Sequence, residues 1–172
     1  MDIKLIEPSD IYIEQIKKYK EDFIKTNETM AGAASLRNTE DISKWIEDLK
    51  IFKNKETCPK HLVPATTYIV VNEKDEMVGI VDFRHHIENK LLKLWGGHIG
   101  YSVSPSFRQR GYAKEMLRQI LIKCKEFGLE EVLLTCDYDN IASKKTILAN
   151  NGVYENQVNL GEKKVNRYWI KL

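Results

Sequence analysis

One segment of the chain combines residue types that bind a pyrophosphate with the position at which a helix begins. It runs Ser104-Pro105-Ser106-Phe107-Arg108-Gln109-Arg110-Gly111-Tyr112-Ala113-Lys114, between the end of a predicted strand and the start of an amphipathic helix. The first turn of a helix presents backbone N–H groups without partners, and the helix dipole makes that end partly positive. Gly111 lacks a Cβ that would hold a phosphate away, Ala113 is small, and the basic side chains add positive charge. The segment therefore predicts an anion-binding loop.

The same residues, taken alone, are also typical of an ordinary solvated loop. Their spacing differs from Gly-x-Gly-x-x-Gly and from Gly-x-x-x-x-Gly-Lys followed by Ser or Thr. Sites of those two kinds for dinucleotides and nucleoside triphosphates are therefore not indicated.

The elements that position this loop predict one α+β domain over residues 1–172. Before the loop, the patterns predict helices at 11–25 and 42–52 and strands at 2–6, 67–71, 77–83 and 96–103. After it, they predict helices at 112–127 and 141–149 and strands at 131–136, 153–158 and 165–172. A strand, helix, strand order of this length implies a right-handed crossover between parallel strands, so we expect a mixed sheet.

The composition describes a globular chain without a strong global charge. Hydrophobic residues make up 42%, and Lys+Arg 27 against Asp+Glu 25 gives a net charge of +2. A wholly disordered chain is excluded, and no overall field favours nucleic acid or an anionic membrane. Cys58, Cys124 and Cys136 are an odd number of distant thiols, which favours a reduced compartment. With neither a signal pattern nor an apolar run of membrane-spanning length, the expected location is the cytoplasm.

The loop resembles the acetyl-CoA pyrophosphate loop of the GNAT acetyltransferase superfamily, which follows the pattern Arg/Gln-x-x-Gly-x-Gly/Ala. The order of elements matches over nearly the whole chain, most closely from Gly79 to Gly152. Asp139-Asn140-Ile141-Ala142-Ser143 looks like the family's second cofactor segment. The stretches 96–103 and 133–137 are similar to a bacterial subgroup of predicted acetyltransferases. The resemblance implies a three-layer GNAT-like fold: a central mixed, mostly antiparallel sheet, helices on both faces, and parallel strands that splay apart at the cofactor cleft.

The resemblance also implies acetyl-CoA as the cosubstrate and assigns its binding to three segments. Backbone groups at the strand end, at Ser102 and Val103, would hydrogen-bond the pantetheine arm as an added strand does. Asn140 and Ser143 would reach the pantetheine from the other side, although N-capping of a helix explains them equally well. The pyrophosphate would be held by Arg108, Gln109, Arg110, Gly111, Tyr112, Ala113 and Lys114.

The sequence leaves the catalytic groups open. Many family members carry a tyrosine acid four residues after the position of Ser143, but this chain has Ile147 there. We expect that position to face the sulfur side of the cleft. His98 and Tyr101 are the candidate catalytic residues. His98 titrates near neutrality, but it alternates with Tyr101 along the strand and therefore faces away from it. With a pKa of roughly 10, Tyr101 is better suited as a proton donor than as a base. Alternatives are a structural role for His98 and an acid role for Tyr138 or Tyr154.

The resemblance implies transfer of an acetyl group from acetyl-CoA to a primary amine, and we expect the transfer to be direct because no Cys/His nucleophile pair is evident. Ile147 favours the alternative of a catalytically impaired acyl-CoA-binding or sensor module. A nucleic-acid binder is a third hypothesis, and a single small basic cluster without stacking aromatics argues against it.

Three other segments are weighed for metal and acceptor binding. Cys58-Pro59-Lys60-His61 and His85-His86 lack a second half at zinc-site spacing, so no metal site is predicted. The acceptor is expected at segments 29–36 and 53–64, while 84–89 either lines its pocket or forms an exposed loop. The acceptor's identity and a homodimeric state are left open.

Overall fold

The computed structural model describes residues 2–172 and arranges the strands in two antiparallel sheets. The first has the order β1-β2-β3-β4 and consists of β1 (Ile3–Ile6), β2 (Ala65–Asn72), β3 (Met77–Arg84) and β4 (Ile99–Val103). The second has the order β5-β7-β6 and consists of β5 (Glu131–Asp137), β6 (Val153–Leu160) and β7 (Lys163–Lys171). The α+β class is confirmed.

The helices begin and end at residues whose chemistry suits a helix terminus. They are α1 (Ile13–Lys25), α2 (Ile42–Lys53), α3 (Tyr112–Phe127) and α4 (Ile141–Leu148). The Asp41 carboxylate accepts from the Lys44 N–H at 3.1 Å and caps α2. Gly111 and Gly128 flank α3 with φ of 86° and 103°, values that side-chain-bearing residues rarely adopt.

Two apolar clusters hold the helices to opposite faces of the first sheet. Ile16, Phe23 and Trp45 from α1 and α2 pack with Ile69 and Ile80 on one face. The second cluster joins α3 and α4 to the other face and to the second sheet through Val81, Met116, Leu134, Ile147 and Tyr168. Alternation along β3 therefore decides which side chains face the α1–α2 side and which face the α3 side.

The two sheets meet at the beginning of β4 and β5 and separate beyond it. The His98 N–H donates to the Leu133 carbonyl at 2.7 Å, and α3 carries the chain from the end of β4 back to the start of β5. The two strands therefore run parallel, as expected, but they form no ladder in residues 2–172, and the expected mixed sheet is divided in two. Their divergence opens a V-shaped cleft between β4 and β5.

The start of β4 differs from its prediction. Residues 96 and 97 were expected in the strand, but Leu92–Gly96 forms a π-helical turn and Gly97 has a φ of 63°. A Cβ on Gly97 would lie 2.6 Å from the Leu133 carbonyl oxygen, so this turn requires glycine to bring the chain against β5. No helix within the described residues is both long enough and apolar enough to cross a membrane.

Candidate functional site

The loop before α3 contains two residues in the left-handed region and ends at the first turn of the helix. Gln109 and Gly111 have φ of 60° and 86°. The N–H groups of Tyr112, Ala113 and Lys114 make no hydrogen bond to another described residue. This terminus of α3 thus presents free donors and a partial positive charge at the mouth of the cleft.

The basic residues of this loop divide into two groups. Arg110 and Lys114 are exposed and form no ion pair within residues 2–172. Arg108 is also exposed but is paired with other residues of the chain, since its Nη2 lies 2.7 Å from Glu28 Oε2 and its Nε donates to the Val103 carbonyl at 3.2 Å. Its guanidinium also lies 5.5 Å from the centre of the Phe23 ring. Arg108 therefore links the loop to the end of α1.

The free edge of β4 directs the backbone of Tyr101 and Val103 into the cleft. The Ser104 N–H donates to Val78 and the Arg84 N–H donates to His98, so the even-numbered residues of β4 pair with β3. Alternation leaves the N–H and C=O groups of Tyr101 and Val103 facing β5. Ser102 faces away from the cleft: its Oγ donates to the Ala31 carbonyl at 2.6 Å, and its carbonyl accepts from the Tyr19 hydroxyl at 3.1 Å.

A side-chain hydrogen bond spans the cleft between β4 and α4. The Tyr101 hydroxyl oxygen lies 3.1 Å from Ser143 Oγ, which brings two predicted site residues together. Burial raises the pKa of Tyr101 to about 12, and the hydrogen bond to Ser143 partly opposes that rise. The phenol therefore keeps its proton at neutral pH and is available as a donor.

Asn140 and Ile147 have structural contacts on α4. The Asn140 side chain accepts from the Ser143 N–H at 3.0 Å, so it caps the helix as the sequence allowed. Ile147 has no exposed surface and lies in the core with Cys136 and Tyr168. The expectation that position 147 faces the cleft is therefore wrong in this structure, because the helix turns that side chain into the core.

His98 lies at the junction of the two sheets. The residue is buried, with 6% of its surface exposed. Its Nδ1 accepts from the Leu133 N–H at 2.9 Å, which leaves Nε2 as the protonated nitrogen of the neutral ring. Burial, and next the charge of Arg84, lower the pKa of His98 to about 4. The lone pair that a base would need is engaged in holding β5 to β4.

The segment between α1 and α2 covers the α1–α2 side of β4. A Cβ on Gly32 would overlap the Gly100 carbonyl, and Gly32 has a φ of 77°, so only glycine allows this approach. Segment 29–36 therefore lies against the α1–α2 side of β4, and its role as an acceptor loop stays a prediction. At residues 53–64, Lys53 Nζ lies 2.6 Å from Glu7 Oε1, beyond the end of β1.

His85 and the three cysteines lie in surroundings that favour their neutral forms. His85 Nε2 lies 2.8 Å from Thr66 Oγ1, and its ring packs 4.4 Å from that of Phe127. No group of three or more His, Cys, Asp or Glu in residues 2–172 is placed to hold a metal ion. Burial raises the pKa of Cys58, and it raises those of Cys124 and Cys136 to about 12 and about 11.

Sequence reasoning missed three residues that lie next to β4 or to the loop before α3. Tyr19 and Glu28 fix Ser102 and Arg108, but nothing in the pattern of α1 marks them. Asp82 is 5% exposed on β3. A signal for Asp82 was present, because a single carboxylate stands in the apolar run from Met77 to Phe83.

Comparison with known proteins identifies a family and a fold. The family model described as acetyltransferase (GNAT) domain matches residues 11–152. An uncharacterized N-acetyltransferase, YnaD of Bacillus subtilis (strain 168), is 28% identical over 131 residues, which span 72% of this chain and 68% of the relative. The resemblance inferred from the loop is confirmed.

Solved structures share the fold at low sequence identity. The microcin C7 self immunity acetyltransferase MccE, in complex with acetyl-CoA and AMP, gives a TM-score of 0.71 at 22% identity, covering 99% of this chain and 93% of the other. The ribosomal L7/L12 alpha-N-protein acetyltransferase RimL, in complex with coenzyme A, gives 0.75 at 17% identity, covering 99% and 94%.

Proposed function

Because the chain belongs to the acetyltransferase (GNAT) domain family and is an acyltransferase, we propose that it transfers the acetyl group of acetyl-CoA directly to a primary amine. The acceptor is expected to be a small molecule or a peptide. The observation that carries this proposal is the position of the unpaired N–H groups at the start of α3, after the turn at Gln109 and Gly111, next to the free edge of β4 at Tyr101 and Val103.

The cofactor fits these residues by the chemistry of their free groups. Unpaired N–H groups at the start of α3, with Arg110 and Lys114 beside them, suit the two negative phosphates. The backbone groups of Tyr101 and Val103 that face β5 suit the amides of a pantetheine arm. Arg108 contributes indirectly, because its contacts with Val103 and Glu28 fix the position of the loop.

Two groups on β4 supply the stabilisation that the transfer needs. A backbone N–H of Tyr101 or Val103 can donate to the carbonyl oxygen of the thioester as negative charge develops there. The Tyr101 phenol, protonated at neutral pH and 3.1 Å from Ser143, can donate to the leaving thiolate. Tyr101 thereby offers a donor on β4 in a chain that has Ile147 at the usual tyrosine position.

The state of the cysteines supports transfer without a covalent enzyme intermediate. A nucleophilic cysteine needs a lowered pKa, which a neighbouring cation or a helix N-terminus provides. Burial instead raises the pKa of each of the three thiols, so each stays protonated at neutral pH. Direct attack by the amine is the simpler path.

The binding part of the proposal predicts that acetyl-CoA raises the melting temperature. A ligand that binds only the folded state stabilises it by about 2.7 kcal/mol at a hundredfold excess over Kd. The measurement is a thermal shift with acetyl-CoA, with adenosine as the control that lacks phosphates. No shift at millimolar acetyl-CoA would contradict the proposal.

The catalytic part is tested by release of free CoA in the presence of primary amines. The panel contains an alkylamine, a diamine, an amino acid and peptides with free N-termini, and a thiol reagent reports the product. Transfer of the acetyl group to any of these amines supports the proposed acetyltransferase activity. Tight CoA binding without transfer to any amine would support a CoA-binding module instead.

A further inference from the structure

Asp82 is a buried carboxylate in the middle of the first sheet, next to the strand that lines the cleft. On β3 it pairs with Gly100 of β4 and with Thr67 of β2. Alternation places its side chain with Ile80, on the sheet face that α1 and α2 cover. This is also the side on which segment 29–36 lies against β4.

Few polar contacts offset the free-energy cost of burying the Asp82 carboxylate. Within residues 2–172, Oδ1 is buried without a hydrogen-bond partner, and Oδ2 lies 4.0 Å from Arg84 Nη2. The Arg84 guanidinium is directed elsewhere, since Nη1 donates to the carbonyls of Gly96 and Gly97 at 3.1 Å each. A carboxylate held in this way is destabilising, and an apolar residue of similar size would normally be better tolerated.

Two glycines bring Asp82 to the backbone of β4. A Cβ on Gly100 would lie 2.9 Å from Asp82 Oδ1 and 2.9 Å from the Gly32 nitrogen. Any side chain at position 100 would therefore separate the carboxylate from the strand and the acceptor loop. Tyr101, whose backbone and phenol face the cleft, is the next residue along β4.

The other candidate bases near the cleft are weak ones. The Nδ1 lone pair of His98 accepts from Leu133, and the pKa of His98 is about 4. Tyr101 has a pKa of about 12 and keeps its proton. Burial raises the pKa of Asp82 above its ordinary value, and Arg84 opposes the rise. The rise moves the pKa of this carboxyl toward neutral pH, which suits a general base.

We propose that Asp82 is the general base of this acetyltransferase and accepts the proton of the acceptor amine at the α1–α2 side of Gly100, directly or through one water molecule. The assignment rests on the proposed function. As the amine nitrogen attacks, the N–C bond forms and the C–S bond breaks. The proton lost by nitrogen passes to Asp82 and then to solvent, while Tyr101 donates to the thiolate and is reprotonated from solvent. The products are an N-acetyl amide and CoA.

The test compares Asp82→Asn with Asp10→Asn, an exposed aspartate at the start of the chain. With an amine that the wild-type protein acetylates, the Asp82 variant should lose 10²- to 10⁴-fold in the single-turnover rate. Its affinity for CoA should stay within about twofold, a ~0.4 kcal/mol difference, because position 82 lies away from the phosphate loop. Its melting temperature at pH 7 should not fall, since a buried charge is removed.

Two further readouts separate proton transfer from a structural role. The wild-type rate should rise with pH through the raised pKa of Asp82, and the variant should lose that acidic limb. Near Asp82, residues Thr67, Gly32 and Gly100 are uncharged, and His98 stays neutral above pH 5, so these residues do not mimic the limb. The charged neighbour is Arg84, and it is common to both proteins. Hydroxylamine is neutral at the assay pH. With hydroxylamine as the acceptor, Asp82→Asn should therefore lose less of the single-turnover rate than with an alkylamine.

The outcomes are distinct. If Asp82→Asn transfers acetyl within twofold of the wild-type rate, or keeps the acidic limb, the assignment of Asp82 is overturned. The proposed acetyltransferase function is not affected by that result. An equal loss with hydroxylamine and with alkylamine also overturns it, in favour of a structural role. If the wild-type protein binds CoA but acetylates no amine, the proposed function and this assignment fail together.

Discussion

Position 111 requires glycine for two reasons, the conformation of its backbone and the close approach of the proposed phosphate ligand. Its φ of 86° lies in the region that favours glycine, and it is the residue from which α3 begins. Gln109, with a φ of 60°, bears a side chain in the same region, and such strain persists where surrounding structure fixes it. The sequence predicted an anion-binding loop here, but it gave no sign of the left-handed conformation of Gln109.

Replacing Gly111 by Asp should weaken CoA binding at least tenfold, about 1.4 kcal/mol. The carboxylate would face the pyrophosphate, and the Cβ would occupy the approach to the N–H groups. Calorimetry measures the affinity. Gly111→Ala separates the steric part from the charge, and Gly128→Asp applies a similar backbone penalty at a φ of 103°, at the opposite end of α3. Unchanged affinity in Gly111→Asp would place the phosphates elsewhere.

At the scale of the element, one face of α4 changes its surroundings along the helix. Ser143, in the first turn, faces Tyr101 across the cleft, whereas Ile147, one turn later on the same face, lies in the core. The contact that fixes this register is with Gly152, where a Cβ would overlap Ile147 Cγ2. The chain after α4 therefore packs directly on the isoleucine.

Ile147→Tyr should lower the free energy of unfolding by about 1–3 kcal/mol, because a ring and a hydroxyl overpack a filled core. CoA binding should persist, since Ser143 and the loop are untouched. Melting temperature and single-turnover transfer are measured on the same protein, with Leu148→Tyr, at a 45% exposed position, as the control. A stable variant with a faster rate would show that position 147 borders the cleft.

The elements differ in how far the sequence predicts them. The bounds of α3 agree with the structure because its apolar stripe and Gly128 are local signals. The turn at Leu92–Gly96 was missed, since Gly96 and Gly97 continue smoothly into a strand pattern and the contact that bends them is with Leu133. Contacts distant in sequence, such as those of Gly100 with Asp82 and with Gly32, carry no periodic signal.

At the scale of the molecule, the cleft exists because hydrogen bonds join β4 and β5 near His98 and, in residues 2–172, the two strands are not paired beyond that point. The junction consists of two hydrogen bonds between His98 and Leu133, one from each backbone N–H. At the other end, the bond between Tyr101 and Ser143 and the ion pair between Arg108 and Glu28 connect the elements around the opening. His98 thus holds the sheets together while they diverge toward the loop.

The pH dependence of stability tests this role of His98. A folded pKa of about 4, below the ordinary value near 6.5, means that the unfolded chain binds the proton more tightly between these limits. The stabilisation is therefore complete above about pH 6.5 and is lost as pH falls toward 4, on the order of 3 kcal/mol at 1.36 kcal/mol for each pH unit.

Denaturation of wild type, His98→Asn and His98→Leu between pH 7 and pH 4 isolates this contribution, since other titrating groups, Asp82 included, are common to all three. The Asn oxygen can still accept from the Leu133 N–H but does not titrate, so the stability of wild type relative to this variant should fall with pH. Leu leaves that N–H unpaired and should be less stable than Asn by about 1–3 kcal/mol at pH 7. Parallel curves for wild type and Asn would contradict a buried, neutral His98, and equal stability of Asn and Leu would show that its hydrogen bond does not fasten the sheets.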